Sequence, residues 1–177
     1  MAEASTLPAP PDEPHLRRRR LGYLATTALL VVIVGSAAVD AVAPVAIFGV
    51  DTAEVRAVGR GYVLEVRYAE VSRPALATPF EIRVHRAGGF DGPITLAVDQ
   101  EYVKLWDENG LYPSPSAETA DGRDVIWEFD PPEGDTLRIV YDARIEPAAQ
   151  SGRDGHVELL EDDLPVVSVE FHTRIWP

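Results

Sequence analysis

Apolar and polar positions alternate along most of the chain after residue 60. Tyr62, Leu64, Val66 and Tyr68 alternate with Val63, Glu65 and Arg67, and Phe80, Ile82 and Val84 alternate with Glu81, Arg83 and His85. The same period recurs at Ile94, Leu96 and Val98, at Val125, Trp127 and Phe129, and at Leu137, Ile139, Tyr141 and Ala143. A short run, Val157 and Leu159, and a long one, Val167, Val169, Phe171, Thr173 and Ile175, complete the set. A period of two puts one side-chain set in the core and the other in water. Turn chemistry separates the runs: Gly88-Gly89, Asp91-Gly92-Pro93, Pro131 to Asp135 and Asp154-Gly155. The pattern predicts an all-β antiparallel sandwich of about seven strands. Between Gln100 and Trp106, Tyr102, Val103 and Trp106 fit a helical turn as well as a strand, and the two readings stay open.

A different pattern precedes the strands. Leu21 to Val39, LGYLATTALLVVIVGSAAV, is 19 residues without a charge. About 20 apolar residues span the hydrocarbon of a bilayer as a helix. Arg17, Arg18, Arg19 and Arg20 stop at its edge. Basic flanks stay in the cytoplasm, which predicts a cytoplasmic N-terminus and an extracytoplasmic C-terminal domain. The run has no amphipathic face to pack as a core helix. A cleaved signal peptide is the alternative: Gly35-Ser36-Ala37 offers a small-x-small site, although the apolar run exceeds the usual 7–15 residues. Leu21-Gly22 fits a twin-arginine signal poorly. Pro8, Pro10, Pro11 and Pro14 make the first residues too polar and proline-rich to fold alone. The expected division is a disordered cytoplasmic tail (1–20), a transmembrane helix (21–43) and a juxtamembrane segment with a possible first strand (44–58). The β domain follows at 59–177.

Charge sharpens this division. The chain carries −13, and from Asp40 onward 26 acidic residues face 12 basic ones, a net of −14. That sign argues against nucleic acid as a partner and favours cationic partners, weak divalent-ion binding or a merely solvated surface. There is no cysteine, hence no disulfide, no thiolate metal site, no cysteine nucleophile and no lipidated cysteine.

Candidate chemistry is sparse. No serine lies in G-x-S-x-G, and no His-Glu pair has metal-ligand spacing. His85 and His172 fall on wet strand positions, and His156 is expected beside a turn as a solvated side chain. Glu161-Asp162-Asp163 and Asp107-Glu108-Asn109-Gly110 are the densest acidic groups, but Gly110 comes too early for an EF-hand loop. We expect no metal, no cofactor and no catalytic residue. The stretch Asp107 to Arg123, DENGLYPSPSAETADGR, shows no strand pattern. It reads either as an irregular crossover or as a proline-stiffened binding loop, with Leu111, Tyr112 and Pro113 as the partner-binding candidates.

The stretch Trp127-Glu128-Phe129-Asp130-Pro131-Pro132-Glu133-Gly134-Asp135-Thr136-Leu137, followed by Ile139 and Tyr141, resembles an immunoglobulin-like repeat of bacterial surface proteins. Phe80-Glu81-Ile82-Arg83-Val84 is similar to another strand of those repeats, with His85-Arg86-Ala87-Gly88 where they carry Asn-x-Gly. The chain looks like the small membrane-anchored actinobacterial proteins of unassigned activity. Its single lysine, Lys104, amid many Ala, Val, Arg and Asp agrees with a GC-rich genome. The resemblance covers roughly residues 60–147 and implies an immunoglobulin-like sandwich rather than a reaction. The expected function is a non-catalytic, membrane-anchored extracytoplasmic binding or accessory module for another membrane or cell-envelope protein. The alternatives are an envelope enzyme using carboxylates, or a domain secreted after cleavage.

Overall fold

The computed structural model describes residues 14–42 and 49–176, with side chains described from 21 to 35 and from 49 onward. The chain divides into two units, Met1–Ile47 and Phe48–Pro177.

The first unit contains the helix α1 (Pro14–Val42). It begins seven residues before the apolar run (21 against 14), at a proline whose fixed φ suits a first helical position. The stretches 1–13 and 43–48 lie outside the described residues, as do the side chains of 14–20 and 36–42. Every described side chain of α1, Leu21 to Gly35, is exposed. The Thr26 hydroxyl donates to the Gly22 carbonyl at 3.0 Å, within the helix's own backbone. Among the described residues no helix is long and apolar enough to cross a membrane.

The second unit is all-β. Its elements are β1 (Asp51–Gly59), β2 (Tyr62–Ser72), β3 (Phe80–Arg86), β4 (Ile94–Asp99), α2 (Gln100–Val103), β5 (Trp106–Tyr112), β6 (Ala117–Ala120), β7 (Asp124–Phe129), β8 (Thr136–Ile145), β9 (Arg153–Glu161) and β10 (Leu164–Ile175). Two antiparallel ladders form one curled sheet. The first runs β1-β2-β3-β8-β5 and the second β10-β9-β4-β7-β6. A short parallel pairing, Arg174 with Val71 and Ile175 with Ser72, joins them. Their apolar faces meet: Tyr68 lies 4.9 Å from Phe171, Phe80 5.9 Å from Phe171 and Trp127 6.1 Å from Tyr141, centroid to centroid.

All seven expected runs are strands, and their apolar parities are buried, except for half-buried Ile175. Among the described residues ten strands form where about seven were expected, because β1, β5 and β6 add to them. β1 pairs with β2 along its whole length, so the β unit reaches back to Asp51. The expected irregular stretch at 107–123 holds most of β5 and all of β6. A register shift between Glu108 and Gly110 breaks the alternation of β5, and β6 is a four-residue edge strand with every side chain exposed. Neither therefore carries a hydrophobic period. Both lie at sheet edges, where bulges, charges and short length suppress pairing with other chains.

The question left open at Gln100 resolves as one helical turn followed by a strand. Asp99 caps α2, accepting from the Tyr102 N–H at 2.7 Å. Tyr102 is fully buried, and its hydroxyl meets Thr173 Oγ1 at 2.9 Å while Thr173 donates to the Ala69 carbonyl at 2.6 Å. Asp154-Gly155 is not a turn. Both residues lie inside β9, with Gly155 buried.

The outer face of the first ladder carries a buried carboxylate. Arg83 and Arg138 stand directly opposite each other, a repulsive pairing. Glu81, 6% exposed, accepts from Arg138 Nε and Nη2 at 2.7 Å each and from Arg83 Nε at 2.6 Å. The Arg138 fork, with help from Arg83, holds the Glu81 carboxyl below the ordinary glutamate range, outweighing burial. A carboxyl whose folded pKa is depressed adds stability above its unfolded pKa of about 4.3 and loses it as pH falls through the folded value. Both guanidiniums are about half exposed, which limits the size of the effect. Urea midpoints should therefore fall below about pH 4.3, and Glu81→Gln should flatten that limb. An unchanged acid limb in the variant would assign it to other carboxylates.

Candidate functional site

The three residues singled out by sequence do not form one patch. Leu111 and Tyr112 are successive strand residues and point to opposite faces. Leu111 pairs with Tyr141 and packs against the core, half-buried. Tyr112 pairs with Val140 on the outer face and is 78% exposed. Pro113 is half-buried behind a cis Tyr112-Pro113 peptide bond. The expected loop is a strand end, and of the three only Tyr112 offers its side chain outward. It stands on the edge strand β5, which pairs on one side with β8.

The histidine expected beside a turn is a correction. His156 sits within β9 with its side chain 14% exposed. Asp99 and Asp124 face each other across β4 and β7, and the ring of His156 lies between them. Its Nδ1 is 3.3 Å from Asp99 Oδ2 and its Nε2 is 2.8 Å from Asp124 Oδ1. A proton on Nε2 supplies the donor that the buried Asp124 Oδ1 otherwise lacks. Both contacts are hydrogen bonds only in the doubly protonated ring. Arg123 Nη2, 3.4 Å from Nε2 and 3.7 Å from Glu158 Oε1, brings a guanidinium to the group. The cluster offsets repulsion between opposed carboxylates, a role no local motif announces: Asp99, Asp124 and His156 come from three separate strands. Among the described residues no group of three or more His, Asp or Glu is placed to hold a metal ion.

An opening lies at the end of the β unit opposite Asp51. It is a cleft of about 480 Å³ where β2, β3, β4 and β9 begin or end. Ile94 and Leu159, both buried, form part of its floor. Tyr62, 7% exposed, stacks on Phe90 at 6.4 Å between centroids. The Arg86 guanidinium lies 5.1 Å from the centre of the Tyr62 ring and pairs with Asp91 at 2.8 Å. The Tyr62 hydroxyl donates to Glu161 Oε1 at 2.9 Å, and Arg60 approaches Glu161 Oε2 at 3.8 Å. Burial first, then the Glu161 carboxylate, pushes the Tyr62 phenol above its ordinary range, so the ring stays a neutral donor. Asp162 closes the rim from the β9–β10 turn, where Asp162 and Asp163 both adopt positive φ (50° and 61°). Two positive φ values suit the two-residue connection of a hairpin.

Sequence reasoning missed this cleft. Its residues read as hairpin punctuation and a solvated acidic turn, and only the topology brings residues 62, 86–95 and 159–162 together. No protein-family model and no curated protein sequence matches the chain.

Proposed function

We propose that the chain is a single-pass membrane protein with its N-terminus in the cytoplasm. Its β unit acts outside as a non-catalytic binding or accessory module for another membrane or cell-envelope protein. Tyr112 carries the contact: a large amphipathic ring, 78% exposed on the outer face of an edge strand, has low conformational cost and suits an interface anchor. The anchor rests on α1, whose described side chains are exposed all round and include Leu24, Leu29, Leu30, Val31, Val32 and Ile33. Such a surface suits lipid. The uncharged run continues through Ser36 to Val39, outside the described side chains.

Strand neighbours support an immunoglobulin-like reading of the β unit. The order β2-β3-β8-β5 corresponds to A-B-E-D, and β10-β9-β4-β7-β6 to G-F-C-C′-C″. The chain departs from that plan in sequence order: the strand in the D position follows β4 directly, β6 precedes β7, and β1 is added outside β2.

Full-length protein should remain in carbonate-washed membranes. A soluble product beginning near Ala38 would sink the anchor. Crosslinking in native membranes should yield an adduct with a membrane or envelope protein. Tyr112→Ala should reduce that adduct while changing stability by less than about 1 kcal/mol. If Tyr112→Ala instead abolishes the cooperative melt, the residue is structural and the contact lies elsewhere.

A further inference from the structure

We propose that the cleft between Tyr62, Phe90 and Glu161 is a binding site for an arginine or lysine side chain of a polypeptide partner. Three carboxylates, Asp91, Glu161 and Asp162, and one guanidinium, Arg86, line it. Arg86 is already committed, to Asp91 at 2.8 Å and to the face of Tyr62. Glu161 and Asp162 therefore set the remaining charge, and Arg60, two-thirds exposed and 3.8 Å from Glu161, balances it only partly. Aromatic faces beside carboxylates are the chemistry that holds a guanidinium or ammonium group. The cleft displays that chemistry with its own Arg86. Its volume of about 480 Å³ exceeds that of one long side chain and leaves room for neighbouring partner residues. The charge of the chain from Asp40 onward, −14 from 26 acidic and 12 basic residues, attracts a basic segment at long range. The site is separate from Tyr112, which lies on the outer face of β5.

The test uses the full chain in neutral detergent micelles and a fluorescein-labelled tetra-arginine peptide, read by anisotropy. Glu161→Gln with Asp162→Asn should weaken binding at least about tenfold. Phe90→Ala, which changes no charge, should weaken it several-fold. Asp154→Asn with Glu170→Gln removes the same charge from the outer face of β9 and β10 and should change binding less than twofold. Tyr112→Ala should leave it unaltered, so this site and the edge-strand contact fail separately. Equal weakening by the two charge-neutralising pairs would show only a general field and overturn the proposal. Displacement of the peptide by a neutral oligosaccharide at low millimolar concentration would also overturn it, assigning the cleft to glycans. All variants are to be checked for an unchanged thermal midpoint. A Glu161→Gln/Asp162→Asn protein that fails to fold leaves Phe90→Ala to decide, because it too must weaken binding if the cleft is the site.

Discussion

Trp127→Ala is expected to cost about 3–5 kcal/mol, enough to unfold a domain of ordinary marginal stability. Trp127 is 2% exposed in the middle of β7, paired on one side with Leu96 and on the other with Glu118. It reaches across the core to Tyr141 of the opposite ladder. Truncation removes an indole that buries roughly 150–250 Å² and leaves a cavity bounded by both ladders, which cannot collapse around it. The indole Nε1 is buried without an acceptor, so part of this stabilisation is already offset. Trp127→Phe keeps part of the contact and deletes the unpaired donor, so it should cost clearly less than Trp127→Ala. Urea unfolding of the chain in detergent micelles, followed by near-ultraviolet circular dichroism, measures both. A parent-like transition for Trp127→Ala would refute the inward parity of β7.

Gly155→Ala should be nearly as damaging, although it adds only one methyl group. An added Cβ would stand 2.7 Å from two ring atoms of Tyr102 and 2.8 Å from Phe171 Cε2. Those rings are 4.9 Å apart in an edge-to-face contact, and Tyr102 is pinned by its bond to Thr173. Neither can retreat without disturbing the other. Overpacking of this kind costs roughly 1–3 kcal/mol, and the rigidity of the pair places Gly155 at the upper end. Gly122→Ala is the contrast: its φ is +92°, but nothing lies within 4 Å of an added Cβ, so it pays only for backbone conformation. A second substitution, Tyr102→Leu, should relieve part of the Gly155→Ala penalty. If the two costs simply add, the clash is not the cause.

Burial alternation made the inner strands legible without any structure. Parity alone places Leu64, Val84, Leu96, Trp127, Ile139, Leu159 and Val169 in the core, because a strand with one dry face must repeat every second residue. The uncharged run behind four arginines and the acidic remainder likewise belong to the one-dimensional record. Edge strands escaped that logic. β6 buries nothing, and β5 loses its period at a bulge, so neither leaves a hydrophobic trace. Turn chemistry also misled at Asp154-Gly155, where glycine makes room for Tyr102 rather than bending the chain.

Sites obeyed tertiary rules throughout. Tyr112 was visible as an unusual residue, yet its separation from Leu111 depended on β5 being a strand, since strand neighbours face opposite ways. Asp99, Asp124 and His156 meet only because β4 lies between β7 and β9. The cleft draws Tyr62, Arg86, Phe90 and Glu161 from positions up to 99 residues apart. Local sequence determines which face of a strand is dry. Which strands become neighbours, and hence which polar side chains converge, is decided by long-range pairing that no local period encodes.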